Sequence, residues 1–455
     1  MNRQYFGTDG VRGKYGGPVI NPAFAQRLGA AVGRWMKNAT TADPAGKMLH
    51  VLIGRDTRDS GPALERALAA GLAAEGLVPF SLGVVPTPAV SRAVRTNGAA
   101  LGAVITASHN PAGDNGIKFF GPTGSKLTDA EEAEIEQQLV PLSCPVSDLV
   151  DNVPIQTIAT AAADYMHEAS RLLPPACLKG WRVVLDTANG ATCGTSPAVL
   201  RGLGAEIIAL GAAPDGRNIN AGVGSEHPEQ LGAAVVAAAA RLGIAHDGDG
   251  DRCVLADEQG EILDGDEILT LLAVRALQKG ALTNNILVVT VQSNLGVDAA
   301  VKAAGGRVVR TPVGDRYVSE RMLAEGAVLG GESSGHLICA EVARTGDGLV
   351  AALKVIEIML VTGQPLSELR RVLRKYPQSV LALKVREMRP LDQLATVQDA
   401  IRTVESELAG RGRILVRYSG TEPKIRLLVE HEDPTRVKSC LARLEAAVRK
   451  DLPAG

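Results

Sequence analysis

Three times along this chain a short apolar run breaks off in a polar turn and gives way to a helical pattern. The runs are 48–53, 181–185 and 286–291; they end near Ile53, Asp186 and Gln292. The turns that follow are Gly54-Arg55-Asp56-Thr57-Arg58, Asp186-Thr187-Ala188-Asn189-Gly190 and Ser293-Asn294-Leu295-Gly296. Strand, turn and helix in alternation read as α/β domains with parallel sheets. The three units suggest internal repetition, although ordinary α/β grammar produces the same spacing.

Other elements fill in around them. Asn21-Pro22 opens a helix with Phe24, Leu28, Ala31, Val32 and Trp35 on one stripe. Leu64, Leu68 and Leu72 mark a second helix, and 78–82 and 101–106 read as strands. Thr128 and Glu131 have the spacing of a capping box. Residues 141–154 lack periodicity and read as a linker, 206–210 as a strand and the Ala-rich 228–242 as a helix. The tail differs: strands at 379–386, 413–418 and 425–430 with helices at 391–408 and 434–450 fit a small α+β domain.

A chain of 455 residues exceeds what one core serves, so two to four domains are expected. Aromatics are only 3%, so those cores must be built from Ala, Val, Leu and Ile. A net charge of −2 offers no electrostatic footprint for nucleic acid or an anionic membrane. Any phosphate site must therefore concentrate positive charge locally. Residues 1–7 have no apolar signal core, and the long stretch 348–363 is broken by Lys354 and Glu357. The six cysteines show no CxxC spacing and read as reduced thiols, so a cytoplasmic location is expected.

Four stretches carry chemistry. The first is Val104-Ile105-Thr106-Ala107-Ser108-His109-Asn110-Pro111, a β-favouring run ending in a hydroxyl, an imidazole and an amide. Ligands of open α/β sheets bind beyond the carboxyl ends of strands, which suits Ser108 as a nucleophile carrying a phosphoryl group. An ordinary strand-to-loop transition remains the alternative. The second is His246-Asp247-Gly248-Asp249-Gly250-Asp251-Arg252. Two carboxylates about 5 Å apart repel by roughly 3 kcal/mol at an effective dielectric near 20, so such a loop calls for a hard divalent cation. A solvated acidic turn or an EF-hand ending at Glu258 are the alternatives, but Arg252 sits where that hand requires glycine.

The third stretch, Gly330-Gly331-Glu332-Ser333-Ser334-Gly335-His336, joins an acid and hydroxyls suited to a polyol with an imidazole that can move protons. In the fourth, Arg417-Tyr418-Ser419-Gly420-Thr421-Glu422-Pro423, hydroxyls and N–H groups between two strands can meet one anion. Arg417 and Arg426 add planar forks. Both stretches read equally as turns when taken alone. Gly7-Thr8-Asp9-Gly10-Val11-Arg12-Gly13 places Arg12 where it can meet a phosphate.

In this order, together with Asp114-Asn115-Gly116-Ile117-Lys118 and Val313-Gly314-Asp315-Arg316-Tyr317, these stretches resemble the α-D-phosphohexomutase superfamily over essentially the whole chain. The resemblance implies an α/β protein of four domains around a central cleft, three mixed α/β and a C-terminal α+β domain similar to the TATA-binding-protein fold. It implies units at 1–150, 151–256, 257–372 and 373–455, carrying in turn the phosphoserine, the metal loop, sugar recognition and phosphate binding. By that likeness Ser108 is the phosphoserine, and Asp247, Asp249 and Asp251 hold Mg2+ with it. Lys118, His336, His109 and Arg12 match acid/base or charge-stabilising positions. Glu332, Ser334 and Arg252 match substrate contacts, while Arg417, Ser419, Gly420, Thr421 and Arg426 match the clamp on the non-reacting phosphate.

The activity implied is an isomerase's phosphoryl relay through a bisphosphate, with a hexosamine bisphosphate as priming activator. Small Ser333, where mannose and glucose members commonly carry Met, points to glucosamine 6-phosphate and glucosamine 1-phosphate, feeding UDP-N-acetylglucosamine and peptidoglycan precursors. A phosphomannomutase/phosphoglucomutase and a non-catalytic sugar-phosphate binder are the alternatives. A homodimer is left open. Arg344, before Thr345-Gly346-Asp347-Gly348, departs from the family pattern.

Overall fold

The computed structural model describes residues 3–40, 49–139, 155–418 and 424–452. The expected linker at 141–154 lies outside the described residues. Four sheets organise the chain. The first contains β1 (Val11–Lys14), β2 (His50–Arg55), β3 (Val78–Val84), β4 (Leu101–Ile105), β5 (Asp114–Phe120) and β6 (Gln156–Thr157). The second contains β7 (Arg182–Asp186), β8 (Glu206–Leu210), β9 (Leu242–His246), β10 (Cys253–Ala256) and β11 (Ile262–Leu263). The third contains β12 (Ile286–Thr290), β13 (Arg307–Thr311), β14 (Leu329–Gly331) and β15 (Leu337–Cys339). The last is an antiparallel sheet of β16 (Gln378–Lys384), β17 (Gly412–Tyr418) and β18 (Lys424–His431), in the order β16-β18-β17.

The suspected repetition is topological. In the first sheet β2 lies parallel between β3 and β4, and β5 returns antiparallel beside β4. The second repeats this with β7 between β8 and β9, and β10 returning. The third does so again with β12 between β13 and β14, and β15 returning. In every copy the loop from the third parallel strand to its antiparallel neighbour holds a chemical motif: Ser108, the three aspartates, or Glu332 to His336. A β–β reversal at that edge presents the loop beyond the strand's carboxyl end, where α/β sheets bind ligands.

The cores contain few aromatics, as the composition requires. One continuous core runs through the first three sheets, from Leu52, Val90 and Phe120 through Leu185 and Leu255 to Leu287 and Leu353. The buried helix Gly348–Thr362 lies within it, capped by Asp347, which accepts from Val350 N. No single helix among the described residues is long and apolar enough to cross a membrane. On the far face of the first sheet, helices Pro22–Thr40 and Gly61–Ala74 cross closely. A Cβ on Gly71 would lie 2.0 Å from the Gln26 carbonyl oxygen, so the crossing admits only glycine there.

The last sheet and its helices Ala395–Leu408 and Pro434–Asp451 have their own core, including Val397, Leu427 and Leu444. This α+β unit meets the third sheet through polar contacts. Arg413 donates to the carbonyls of Val291 and Ser293, and Asn294 exchanges hydrogen bonds with the Tyr376 backbone.

Local propensity fails after the Ala-rich stretch. The Ala-rich helix ends at Ala237 rather than at 242. Ala239 takes a φ of 44° to turn the chain, and Leu242 and Ile244 are fully buried in β9. Packing the sheet outweighs a few tenths of a kcal/mol per residue of helix preference.

Candidate active site

Ser108 is 1% exposed and has a φ of 49°, a left-handed conformation that costs a non-glycine residue about 1 kcal/mol or more. Three other parts of the fold hold it so. Thr106 Oγ1 accepts from Ser108 N at 2.9 Å, while Arg58 Nη2 and Asn220 Nδ2 donate to the Ser108 carbonyl at 3.0 and 2.8 Å. Arg58, at the end of the polar turn after β2, is itself buried against Asp56. With the backbone fixed, Ser108 Oγ donates to Asp247 Oδ2 on the neighbouring sheet at 2.5 Å.

The aspartate loop packs so closely that side chains are excluded from it. A Cβ on Gly248 would lie 2.7 Å from the Ser108 carbonyl oxygen. The ligand oxygens of Asp247, Asp249 and Asp251 lie within 4.8 Å of one another, and all three residues are buried. Burial first, then Asp249 and Asp251, push the Asp247 carboxyl well above its ordinary range. Asp249 is also buried, but Lys118 and Thr87 hold it below that range. Asp249 Oδ1 and Asp251 Oδ1 are buried without a hydrogen-bond partner among the described residues. Orphaned carboxylate oxygens converging this closely fit a hard cation held by Asp247, Asp249 and Asp251. The EF-hand alternative falls away, because β9 and β10 flank the loop and Glu258 instead accepts from Ser367 Oγ.

Lys118 arrives on β5, beside the Ser108 loop. Its Nζ lies 2.7 Å from Asp249 Oδ2, 3.2 Å from Asp251 Oδ2 and 3.8 Å from Asp9 Oδ2. Burial opposes the ammonium, yet Asp249, Asp9 and Asp251 raise its pKa well above the usual value. Arg12 pairs with Asp9, and Lys126 bridges Asp9 and Asp315. Burial alone would raise the Asp9 carboxyl, but Arg12, Lys118 and Lys126 together lower it well below its range.

His336 Nε2 lies 3.3 Å from Asp315 Oδ2 and 3.9 Å from Asp251 Oδ2, and neither ring nitrogen has a hydrogen-bond partner among the described residues. Glu332 Oε1 accepts from Gly314 N, and burial raises its pKa. Arg252 forms a β-bridge with His336 and donates to Glu226 at 3.0 Å. Burial, then Arg252, lowers the His109 pKa.

Ser108, Lys118, Arg12, His109, Arg252, His336, Glu332 and the three aspartates therefore meet where the first three sheets adjoin. Ser334 lies in the Glu332–His336 loop, half-buried and without a hydrogen bond among the described residues. Arg417 and Arg426 stand opposite each other across β17 and β18, without a carboxylate partner among the described residues. Ser419, Gly420 and Thr421 lie outside the described residues.

The sequence reading missed Asp9, Lys126 and Asp315 as members of the cluster, and Thr87, whose Oγ1 donates to Asp249 at 2.5 Å. Asp9 and Asp315 stand inside quoted motifs, whereas nothing around Lys126 marks it.

Profiles of the phosphoglucomutase/phosphomannomutase family match in consecutive blocks. Alpha/beta/alpha domains I, II and III match residues 3–141, 163–260 and 264–376, and the C-terminal domain matches 381–447. The chain is 46% identical to a phosphoglucosamine mutase of Thioalkalivibrio sulfidiphilus, over 99% of this chain and 98% of that protein. It is also 46% identical to a phosphoglucosamine mutase of Aeromonas hydrophila, over 98% and 99%. A phosphoglucomutase/phosphomannomutase family protein from Burkholderia thailandensis shares the fold, with a TM-score of 0.79 at 23% identity over 98% of both chains. With four domains in register and relatives matched from end to end, the chain belongs to the phosphoglucosamine mutases, isomerases of the α-D-phosphohexomutase superfamily.

Proposed function

We propose that the chain interconverts glucosamine 6-phosphate and glucosamine 1-phosphate by a phosphoryl relay through Ser108. The hydrogen bond from Ser108 Oγ to Asp247, made by a backbone held left-handed, carries this reading. Phosphorylated Ser108 presents its phosphorus to a sugar hydroxyl. The Oγ–P bond breaks, an O–P bond to the sugar forms, and the hydroxyl proton passes to a base of the cluster. The hexosamine bisphosphate then turns in the site and returns its other phosphoryl group to Ser108. Arg417 and Arg426, with Ser419, Gly420 and Thr421, hold whichever phosphate is not reacting. Forks and N–H groups suit a site that must accept either end.

Asp247, Asp249 and Asp251 are the residues that would hold Mg2+ with the seryl phosphate, where the ion would neutralise charge on the phosphoryl oxygens. Lys118, Arg12, His109 and His336 bind, orient and exchange protons around the transferring group. Glu332, Ser334 and Arg252 orient the sugar. A hexosamine bisphosphate primes the serine, and the reaction runs in the cytoplasm.

A coupled assay against glucosamine, mannose and glucose phosphates, with intact-mass measurement of Ser108 phosphate, tests the reading. Turnover is expected to be fastest with glucosamine phosphates, with one phosphate on Ser108. Equal or better turnover of mannose 1-phosphate would refute the substrate assignment. Neither turnover nor seryl phosphate would favour a non-catalytic binder.

A further inference from the structure

Away from the aspartate loop, three arginines face one another with too little negative charge between them. Helix Thr87–Thr96 in the first domain carries Arg92 and Arg95 at i, i+3, on one face. Helix Ala161–Ser170 in the second brings Tyr165 and Glu168, and the loop before helix Gly348–Thr362 in the third brings Arg344. All five line one cavity.

Arg95 and Arg344 have no carboxylate partner and no side-chain hydrogen bond among the described residues. Arg92, Arg95 and Arg344 share the lining of this cavity, and burial, then Arg344 and Arg92, lower the Arg95 pKa. Arg92 Nη2 lies 3.4 Å from Glu168 Oε1, while its Nε is buried with no acceptor among the described residues. Glu168 is shared with Arg171 at 3.5 Å. The remaining carboxyl of the cavity, Asp347, faces inward, accepting from Tyr165 Oη at 2.8 Å and Val350 N at 3.0 Å. Its carboxylate is occupied by those two donors rather than by an arginine.

We propose that Arg92, Arg95 and Arg344 form a second anion site, for an oxoanion of the phosphate class, free or as the head of a small phosphomonoester. Such an anion supplies acceptors to the open guanidinium forks of Arg95 and Arg344 beside Arg92. It bridges the first and third domains at a point distinct from the Arg417–Arg426 clamp. It is also coupled to the reaction site, because Thr87, the first residue of the helix bearing Arg92 and Arg95, donates from both N and Oγ1 to Asp249.

Tungstate soaked into crystals of the full chain, located by anomalous scattering, reads the site directly. Equilibrium dialysis with labelled inorganic phosphate counts it in solution. A tungsten peak between Arg95 and Arg344 is expected in the wild type and in Arg417→Gln, and is lost in Arg95→Gln/Arg344→Gln. That double variant binds one phosphate fewer per chain, and Arg344→Gln alone, at an exposed position, weakens this phosphate roughly tenfold or more. Displacement of tungstate by glycerol 3-phosphate at lower concentration than by phosphate assigns the phosphomonoester, and the reverse order assigns free phosphate. No peak at the three arginines in the wild type, a peak that survives the double substitution, or equal phosphate stoichiometry would overturn the proposal.

Discussion

Lys118 Nζ stands 2.7 Å from Asp249 Oδ2 and 3.2 Å from Asp251 Oδ2, in the place where a cation is called for. With no metal bound, this ammonium is the main charge that lets two buried carboxylates coexist. Losing one partner of a buried ion pair costs about 3–5 kcal/mol. Lys118→Met is therefore expected to lower the melting temperature sharply in chelator, with much of the loss recovered on adding Mg2+, and to abolish turnover. A melting temperature insensitive to Mg2+ in this variant would contradict the arrangement.

Ser108 separates chemistry from backbone strain. Ser108→Ala and Ser108→Gly both remove the hydroxyl, and both are expected to be inactive and to carry no phosphate by mass spectrometry. Only alanine keeps the cost of a φ near 49°. Relief of that strain exceeds glycine's extra unfolded-state entropy by about 1 kcal/mol or less, so Ser108→Gly melts at or above Ser108→Ala. A clearly less stable glycine variant would show that the left-handed backbone is not strained.

Gly248 tests how the first two domains meet. A Cβ there would lie 2.7 Å from the Ser108 carbonyl oxygen and 2.8 Å from Ile219 Cδ1. Backbone cannot yield as a flexible side chain does, so Gly248→Ala must part the aspartate loop from the serine loop. A displacement of about 1 Å is enough to cost roughly a hundredfold in rate. The expected result is that loss in kcat, a weaker Mg2+ requirement profile, and an unchanged circular dichroism spectrum. Wild-type kcat would mean that the two loops have slack between them.

Much of this was readable in advance because it is local. The aspartate loop declares itself by three acids and two glycines in a row, and the strand leading to Ser108 by its β-branched, apolar run. Lys118 was legible as part of a motif but not as part of a strand, since Asp and Asn, here Asp114 and Asn115, are depleted from strands. Those two are tolerated in β5 because Arg58 Nη1 donates to the Asp114 carbonyl and Asn115 Nδ2 finds Ser60 Oγ. Lys126 could not be read at all. Its partners Asp9 and Asp315 are 117 and 189 positions away in the chain, so packing of domains, not any local pattern, creates the bridge. The threefold repetition of strand order was likewise only hinted at, because topology leaves few marks in composition.

Arg417 and Arg426 face each other across β17 and β18, and burial followed by Arg426 lowers the Arg417 pKa. Two like charges side by side are stabilised by a bound anion. A lost charge-assisted hydrogen bond is worth about 1.5–3 kcal/mol. Arg417→Gln is thus expected to raise KM roughly tenfold to a hundredfold, with a smaller effect on kcat, in steady-state kinetics. A change confined to kcat would remove Arg417 from the clamp.

Asp266 gives stability a pH dependence of its own, away from the reacting groups. It is buried at the start of helix Gly265–Gln278 and accepts from Asn294 N at 2.8 Å. Burial first, then Asp264, push its pKa up to about 6, above the ordinary carboxyl value of 3.8. The folded state therefore binds this proton more tightly than the unfolded chain does. Its contribution to stability is fully present below about pH 4 and is lost as pH rises through about 6. The shift corresponds to roughly 3 kcal/mol at the upper bound. Asp266→Asn removes the ionisation while its Oδ1 still accepts from Asn294 N. In thermal melts the variant is expected to exceed the wild type at pH 8, with the advantage shrinking through pH 6 and gone near pH 4. A difference in melting temperature that stays constant from pH 8 to pH 4 would show that Asp266 does not titrate in this range.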